Sequence, residues 1–383
     1  MQNIKEDLFY LLACGANAKV PESSRVQSYK QEQSEAKLRQ LYQLSRAHFV
    51  DALVGTVLKQ AGVTLPVRWE QSIAKAIRKE ILFDAEREKI FAFMEQKKIW
   101  YLPLKGIVLK HYYPAVGLRQ MSDNDILFEE TFAQTMKDYM QSQGYVVKSY
   151  GRGNHDVYEK APVYNFELHR ALYGTSSANH WADYYRDIKS RLVPKKENSY
   201  CYRMKAEDFY IYLMCHAAKH YQGSGTGVRT LLDFYIYLQK ETALDFDYIE
   251  RECETLAIAQ FEKDNRVLCK KVFGEGGSVL TANEQEMLDY YLTSGVYGNQ
   301  KQRVDNRLKT CRNKKGQISK WNYIRTRLFP GKEYYQHFPF FARHRVLLPL
   351  LYLFRMVIVV CDPKRRKNVW KECKLVKGSK NLK

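Results

Sequence analysis

Two acidic residues separated by one position stand at the start of a strand-like segment, Ser122-Asp123-Asn124-Asp125-Ile126-Leu127-Phe128. Side chains alternate between the two faces of a strand, so Asp123 and Asp125 point to the same side. Carboxylate oxygens side by side are ligands that hard divalent cations such as Mg²⁺ prefer. The pair predicts a cation site where this strand begins. The alternative is a solvated turn that merely precedes the strand.

A third carboxylate lies in a second alternating segment, residues 163–169. Its apolar residues would face a core, which places Asn165, Glu167 and His169 on the opposite face. If the two strands are neighbours, Glu167 joins the acidic pair. Three clustered carboxylates repel one another unless a cation binds or one of them is protonated. Two metal ions about 3.5–4 Å apart could then stabilise the attacking and leaving oxygens of a phosphoryl transfer. Alternatively, Glu167 is an ordinary exposed strand residue.

The surrounding elements follow from apolar spacing. A period near 3.6 predicts helices through the first hundred residues, with a helix start near Pro66, and again from residue 178 onward. Between them, alternating and short apolar runs predict strands at 100–104, 123–128 and 145–149, and a hairpin of 155–159 with 163–169. Short helices are expected at 107–113 and 131–142, and later ones at 205–220, 227–240, 246–258, 260–273 and 281–294.

These elements predict an α+β fold in which a small mixed-sheet core is flanked by N-terminal helices and a larger C-terminal helical region. We divide the chain into an N-terminal helical region (1–98), the sheet core (99–175), a helical domain (176–300), and a basic C-terminal helical region and tail (301–383).

Several motifs in this order resemble the uncharacterised nucleotidyltransferase family, part of the polymerase-β-like superfamily. They are Leu104-Lys105-Gly106, Tyr113-Pro114, Leu118-Arg119, Asp123-x-Asp125, Glu167-Leu168-His169 and His216-x-x-x-His220, followed by Asp233. The resemblance covers roughly residues 99–240, and it implies a nucleotidyltransferase core that moves an NMP group from an NTP to an acceptor hydroxyl or phosphate.

The resemblance also implies roles for individual residues. Asp123, Asp125 and Glu167 would be catalytic and would bind Mg²⁺, with Mn²⁺ as the alternative metal. Lys105, Gly106 and Arg119 would bind the nucleotide, and Glu167 would complete the metal site or act as a base. Residues expected to line the cleft are His169, His216, His220 and Asp233.

Two departures from the pattern carry consequences. Asn124 stands where an apolar residue usually separates the two acids, and a buried amide without a partner costs about 1–3 kcal/mol. Either a local distortion of the strand or a hydrogen-bond partner for Asn124 is therefore expected. Lys105-Gly106 replaces the Gly-Ser that better known nucleotidyltransferases place near the triphosphate. Gly106 would let the backbone approach a phosphate, and Lys105 would supply charge.

Other patterns have competing interpretations. Arg119 would either contact phosphate or pair structurally with Asp123 or Asp125. The His216/His220 spacing can bind zinc, but the Glu of the His-Glu-x-x-His motif is missing, which favours a core or cleft role. The segment 223–227 is rich in glycine but lacks the Gly-Lys-Ser/Thr ending of a P-loop, so we interpret it as a flexible connection.

The net charge of +20 is concentrated near one end of the chain. Residues 301–383 hold 23 Lys and Arg against 4 Asp and Glu, whereas the first 300 hold 39 against 38. The apolar run 346–361 precedes a cationic cluster and is interrupted by Pro349 and Arg355. Since a membrane span needs about 20 apolar residues, we expect a buried or interfacial helix and no transmembrane span.

The basic end has three interpretations: a solvated tail, a contact with an anionic membrane surface, or a contact with nucleic acid. A second functional hypothesis follows, in which a catalytically silent family member acts as an adaptor through this region. Eight cysteines without a Cys-x-x-Cys pair indicate reduced thiols. With no signal-peptide pattern at the start, they predict a cytoplasmic protein, with peripheral membrane attachment as an option.

Overall fold

The computed structural model describes residues 4–31, 34–174, 180–274, 279–312, 316–331, 335 and 338–378. The predicted boundary between residues 175 and 176, and the terminal lysines Lys380 and Lys383, lie outside the described residues. All eight cysteines lie in the described part and are free thiols.

A five-stranded mixed sheet forms the centre of the fold, in the order β1-β2-β5-β4-β3. Its strands are β1 (Tyr101–Pro103), β2 (Asn124–Phe128), β3 (Val146–Ser149), β4 (His155–Lys160) and β5 (Tyr164–His169). Strands β2 and β5 are parallel and the other neighbours are antiparallel. The predicted hairpin is confirmed as β4 and β5. Two short strands, β6 (Val193–Pro194) and β7 (Tyr202–Arg203), form a separate pair.

Helices precede, interrupt and follow the sheet, as the periodicity predicts. The first five are α1 (Ile4–Ala16), α2 (Ser23–Lys30), α3 (Glu35–Ala47), α4 (Asp51–Gln60) and α5 (Val67–Gln96). Between strands lie α6 (Gly106–Leu109), α7 (Ala133–Ser142) and α8 (Trp181–Tyr184). The predicted helix at 107–113 is instead α6 followed by one 3-10 turn, Lys110–Tyr112.

The later helices match the predicted segments within a few residues. They are α9 (Ala206–Gln222), α10 (Val228–Lys240), α11 (Phe246–Thr255), α12 (Ala259–Phe273) and α13 (Ala282–Ser294). The basic region contains α14 (Gln300–Thr310), α15 (Lys320–Leu328), α16 (Pro339–Arg343), α17 (Leu348–Cys361) and α18 (Pro363–Gly378). The structure thus has the predicted α+β organisation.

The sheet separates two hydrophobic cores. On one face, Ile126, Phe166 and Leu168 pack against α5 and α7. On the other face, Leu102 and Leu127 belong to a larger core that joins helices from both ends of the chain. Helix α1 reaches α12, where Asn17 Nδ2 donates to the Phe273 carbonyl at 3.1 Å. The N-terminal helices and the helices after the sheet therefore share one core.

The basic C-terminal region has a smaller core of its own, which includes Val304, Leu308, Tyr323 and Val376. Glu372 on α18 holds it together by accepting hydrogen bonds from Tyr323 Oη at 2.6 Å and from Arg327 Nε at 2.6 Å. In the described chain, no single helix has the length and apolar character needed to cross a membrane. The helices at 345–361 and 363–378 reach that length and apolar character only when they are counted together, and the chain bends by 98° between them.

Candidate active site

The parallel pairing of β2 with β5 brings the acidic residues together. The register sets Asp125 opposite Glu167, and Asp123 immediately precedes β2. All three side chains line one cavity of about 230 Å³, which α9 and α10 close from the other side. The convergence expected from strand alternation is therefore present, while the catalytic and metal-binding roles of the three residues stay predictions.

Asp125 is buried and held by two donors. Lys105 Nζ lies 2.7 Å from Asp125 Oδ1, and His169 Nε2 lies 2.9 Å from the same oxygen. Because an ionised carboxylate only accepts hydrogen bonds, His169 carries its proton on Nε2. Burial alone would raise the pKa of Asp125, but Lys105 and His169 outweigh it and hold the pKa well below its ordinary value. Asp125 is therefore ionised.

The pKa values of the other two acids are raised instead of lowered. Burial and the charge of Asp125 raise the pKa of Asp123 above its ordinary value. Burial, followed by the charges of Asp125 and Asp123, raises the pKa of Glu167 to about 7. The cations around this partly buried cavity therefore neutralise only part of the negative charge of the three acids. A bound divalent cation would neutralise more of it.

Two imidazoles extend this cluster. His155 Nε2 lies 3.6 Å and His169 Nε2 lies 3.7 Å from Glu167 Oε2. One ligand atom from each of His155, Glu167 and His169 falls within 4.8 Å of the others, so this group could also hold a metal ion. His155 was missed by the sequence analysis, because its proximity to Glu167 depends on the β4–β5 register.

Arg119 is fixed by Asp233 rather than by the two acids of β2. Its Nε and one terminal nitrogen donate to the two oxygens of Asp233 at 3.1 and 2.8 Å, and Tyr113 Oη donates to Asp233 at 2.7 Å. The Arg119 side chain is 8% exposed. The alternative interpretation of Arg119, a structural pairing with Asp123 or Asp125, is therefore wrong, whereas its contact with phosphate stays a prediction.

Gly106 is required by the position of Arg119. A Cβ atom at residue 106 would lie 2.8 Å from an Arg119 terminal nitrogen and 3.2 Å from Met121 Cγ. Lys105, the preceding residue, has φ 45°, so the backbone turns sharply where the two residues enter the cavity. Both line the cavity, and their contact with a nucleotide stays a prediction.

The predicted partner of Asn124 comes from a distant helix. Asn124 is fully buried, and its Oδ1 accepts a hydrogen bond from Arg87 on α5. Its Nδ2 donates to the Asn165 carbonyl at 3.4 Å. The requirement for a partner is confirmed, and the amide ties the start of β2 to α5.

Helices α9 and α10 complete the cavity wall. His216 and His220 line it, and burial lowers the pKa of both, to about 4 for His220, so both imidazoles are neutral at pH 7. Asp233 lines it as well, so these three expected cleft residues are at the cavity. His169 lies behind it, bonded to Asp125.

The lining residues that were absent from the predicted site include Thr226, Arg229 and Thr230. Thr226 belongs to the segment that we interpreted as a flexible connection, but residues 225–228 are buried in the structure. The interpretation was incomplete, since this segment places part of the cavity wall. In the sequence, only the glycine content of this segment and its position before a helix indicated that it could line a site.

A family model described as "Uncharacterised nucleotidyltransferase" matches residues 34–274. The chain belongs to this family. The match includes every predicted site residue and extends beyond the sheet to α3 and α12. Searches of curated proteins and of solved structures found no match. Family membership supports a nucleotide substrate, while the acceptor and the metal are matters for proposal.

Proposed function

We propose that this family member is a divalent-metal-dependent nucleotidyltransferase that moves an NMP group from an NTP to an acceptor hydroxyl or phosphate, with release of pyrophosphate. The observation that carries the proposal is the meeting of Asp123, Asp125 and Glu167 in one cavity with permanently charged cations. The family match independently favours the same chemistry.

The donor set fits Mg²⁺. Hard oxygen ligands are available from three carboxylates. The raised pKa of Glu167 reflects its burial first and then the negative charges of Asp125 and Asp123, which a cation would neutralise. Asp123, Asp125 and Glu167 would hold the metal, with Mn²⁺ as the alternative. When bound, such a metal supplies charge stabilisation for the reacting phosphate.

The protein's own residues would orient and balance the reactants. Lys105 and His169 fix the orientation of Asp125, and Arg119 and Lys105 place positive charge beside the phosphates. The acceptor oxygen attacks the α-phosphorus, and the bond to pyrophosphate breaks. Glu167 completes the metal site or accepts the acceptor's proton, for which a pKa near neutrality is suited. Positioning of the reactants and electrostatic stabilisation of the transition state would supply most of the rate acceleration.

The test uses purified full-length protein, Mg²⁺ and each NTP labelled at the α-phosphate. Wild type should bind NTP in a Mg²⁺-dependent manner and label an acceptor from cell extract. Asp123→Asn/Asp125→Asn should lose both properties, whereas Asp138→Asn, a change at an exposed acid of the same region, should retain them. Unchanged Mg²⁺-dependent binding in the double variant would refute the site assignment.

The exposed apolar face of α17 supports a second proposal, in which the basic region attaches the protein to an anionic membrane. Leu350, Leu353, Phe354 and Val357 follow helical spacing and are 51–61% exposed. The next helix, α18, carries exposed cations that include Lys364, Arg365, Arg366 and Lys367. Apolar insertion beside a cationic cluster is typical of peripheral attachment, with about 1 kcal/mol per basic residue near the surface.

This attachment suits either an active enzyme at the membrane or a catalytically silent adaptor. Full-length protein should co-float with vesicles that contain phosphatidylserine, and Leu353→Glu/Phe354→Glu should abolish flotation. Val279→Glu, which changes a 90% exposed valine outside the basic region, should have no effect. If the double variant floats as well as wild type, or if the protein binds RNA or DNA but no vesicle, the membrane proposal is wrong.

A further inference from the structure

Arg229 is the cavity cation that the sequence pattern did not indicate. It lies in the first turn of α10 and lines the cavity that contains Asp123 and Glu167. One terminal nitrogen donates a hydrogen bond of 2.7 Å to the Gln120 carbonyl, and the guanidinium carbon lies 5.6 Å from the centroid of the Phe49 ring. In the described part of the chain it forms no ion pair.

The other two permanent cations of the cavity are already engaged. Lys105 is bonded to Asp125 at 2.7 Å, and Arg119 is bonded in bidentate fashion to Asp233. Arg229 therefore offers the guanidinium that is available to a ligand. A guanidinium matches phosphate oxygens because its N–H donors form a planar fork.

Arg229 and Arg119 are also close to each other. Both donate to the same carbonyl, that of Gln120, at 2.7 and 3.4 Å. Burial and the neighbouring charge of Arg119 lower the pKa of Arg229 to about 10, which leaves it charged at pH 7. The Arg119 guanidinium is paired with the Asp233 carboxylate, whereas the Arg229 guanidinium is bonded to a carbonyl. The two groups together therefore form a positively charged site next to the acidic cluster.

From this arrangement we infer that Arg229, supported by Arg119, binds the β- and γ-phosphates of the NTP. The hydroxyls of Thr226 and Thr230 hydrogen-bond to each other at 2.7 Å on the same wall, and the hydroxyl that accepts in this bond can donate its own proton to a phosphate oxygen. The acidic residues and the arginine pair would then divide the cavity into a metal side and a triphosphate side. This inference rests on the proposed function, because it assigns the binding mode of the same substrate.

The experiment measures affinity by calorimetry for Mg²⁺-NTP, Mg²⁺-tripolyphosphate and the matching nucleoside. Arg229→Gln should weaken NTP and tripolyphosphate binding about tenfold or more, the effect of losing a charge-assisted contact. Nucleoside affinity should not change. Arg229→Lys keeps the charge and should lose less. Arg68→Gln, a control at an exposed arginine, should match wild type.

The outcomes separate the inference from the proposed function. Failure of wild type to bind any Mg²⁺-NTP would overturn both. Normal NTP and tripolyphosphate affinity in Arg229→Gln, with an active wild type, would overturn the inference alone. Equal weakening of nucleoside and triphosphate binding in both Arg229 variants would indicate a general distortion of the cavity and would also contradict the inference.

Discussion

Asp233→Asn tests the buried Arg119–Asp233 ion pair in the cavity wall. Asp233 accepts two hydrogen bonds from Arg119, at 3.1 and 2.8 Å, and one from Tyr113 at 2.7 Å. Both charged side chains are 8% exposed. The substitution leaves the Arg119 guanidinium buried near Arg229 without its counter-charge. Because breaking a buried pair from one side costs about 3–5 kcal/mol, we expect the free energy of unfolding to fall by that amount.

Urea unfolding followed by tryptophan fluorescence measures this loss. Asp183→Asn is the matched control, since it removes one partner of an Arg186–Asp183 pair whose side chains are 76% and 68% exposed. The control should change the free energy of unfolding by less than about 1 kcal/mol. The double variant Arg119→Met/Asp233→Leu should be more stable than Asp233→Asn, because it removes the uncompensated charge. A loss below about 1 kcal/mol in Asp233→Asn would refute the reasoning.

Three further predictions concern the cavity. Gly106→Ala should lower the free energy of unfolding by about 1–3 kcal/mol in the same urea assay, because the new Cβ meets the fixed Arg119 at 2.8 Å; an unchanged value would contradict the close approach. The folded state raises the pKa of Glu167 from 4.5 to about 7, so between these pH values the folded state holds a proton that the unfolded state has released. This contribution to the free energy of unfolding is therefore present at low pH and is lost as pH rises through about 7. Urea titrations from pH 4 to 8 should show this slope in wild type and a flatter curve in Glu167→Gln. Lys105→Met removes the cation 2.7 Å from Asp125 and should raise the pKa of that acid. The pH at which Mg²⁺ binding is half-maximal, measured by calorimetry, should therefore rise.

Local pattern was sufficient to predict the elements and the acidic cluster. Strand alternation places Asp125 and Glu167 on defined faces, and the short turn after Lys160 indicates a hairpin, so their convergence required only that β2 and β5 be neighbours. The same pattern indicated that buried Asn124 needs a partner. It could not identify Arg87, because that residue comes from α5, 37 positions earlier.

Contacts between distant elements account for the residues that were missed or misassigned. Arg119 meets Asp233 across 114 positions, and Arg229 meets Gln120 across 109. Nothing in the spacing around Arg119 distinguishes Asp233 from Asp123 as its partner. Such pairings depend on how α10 packs over the sheet, which follows from the shape of the whole core and not from a local period.

The contact between α1 and α12 also bears on how the chain is made. Asn17 bonds to the carbonyl of Phe273, and the Phe9 ring packs against the Phe273 ring with their centroids 6.2 Å apart. Helix α1 therefore lacks the part of its packing surface that α12 supplies until about 260 more residues have been synthesised. During that time the apolar side chains of α1 that pack against α12, such as Phe9, would be exposed to chaperones and to neighbouring nascent chains. A fragment that ends after the sheet would keep this exposure permanently and should aggregate.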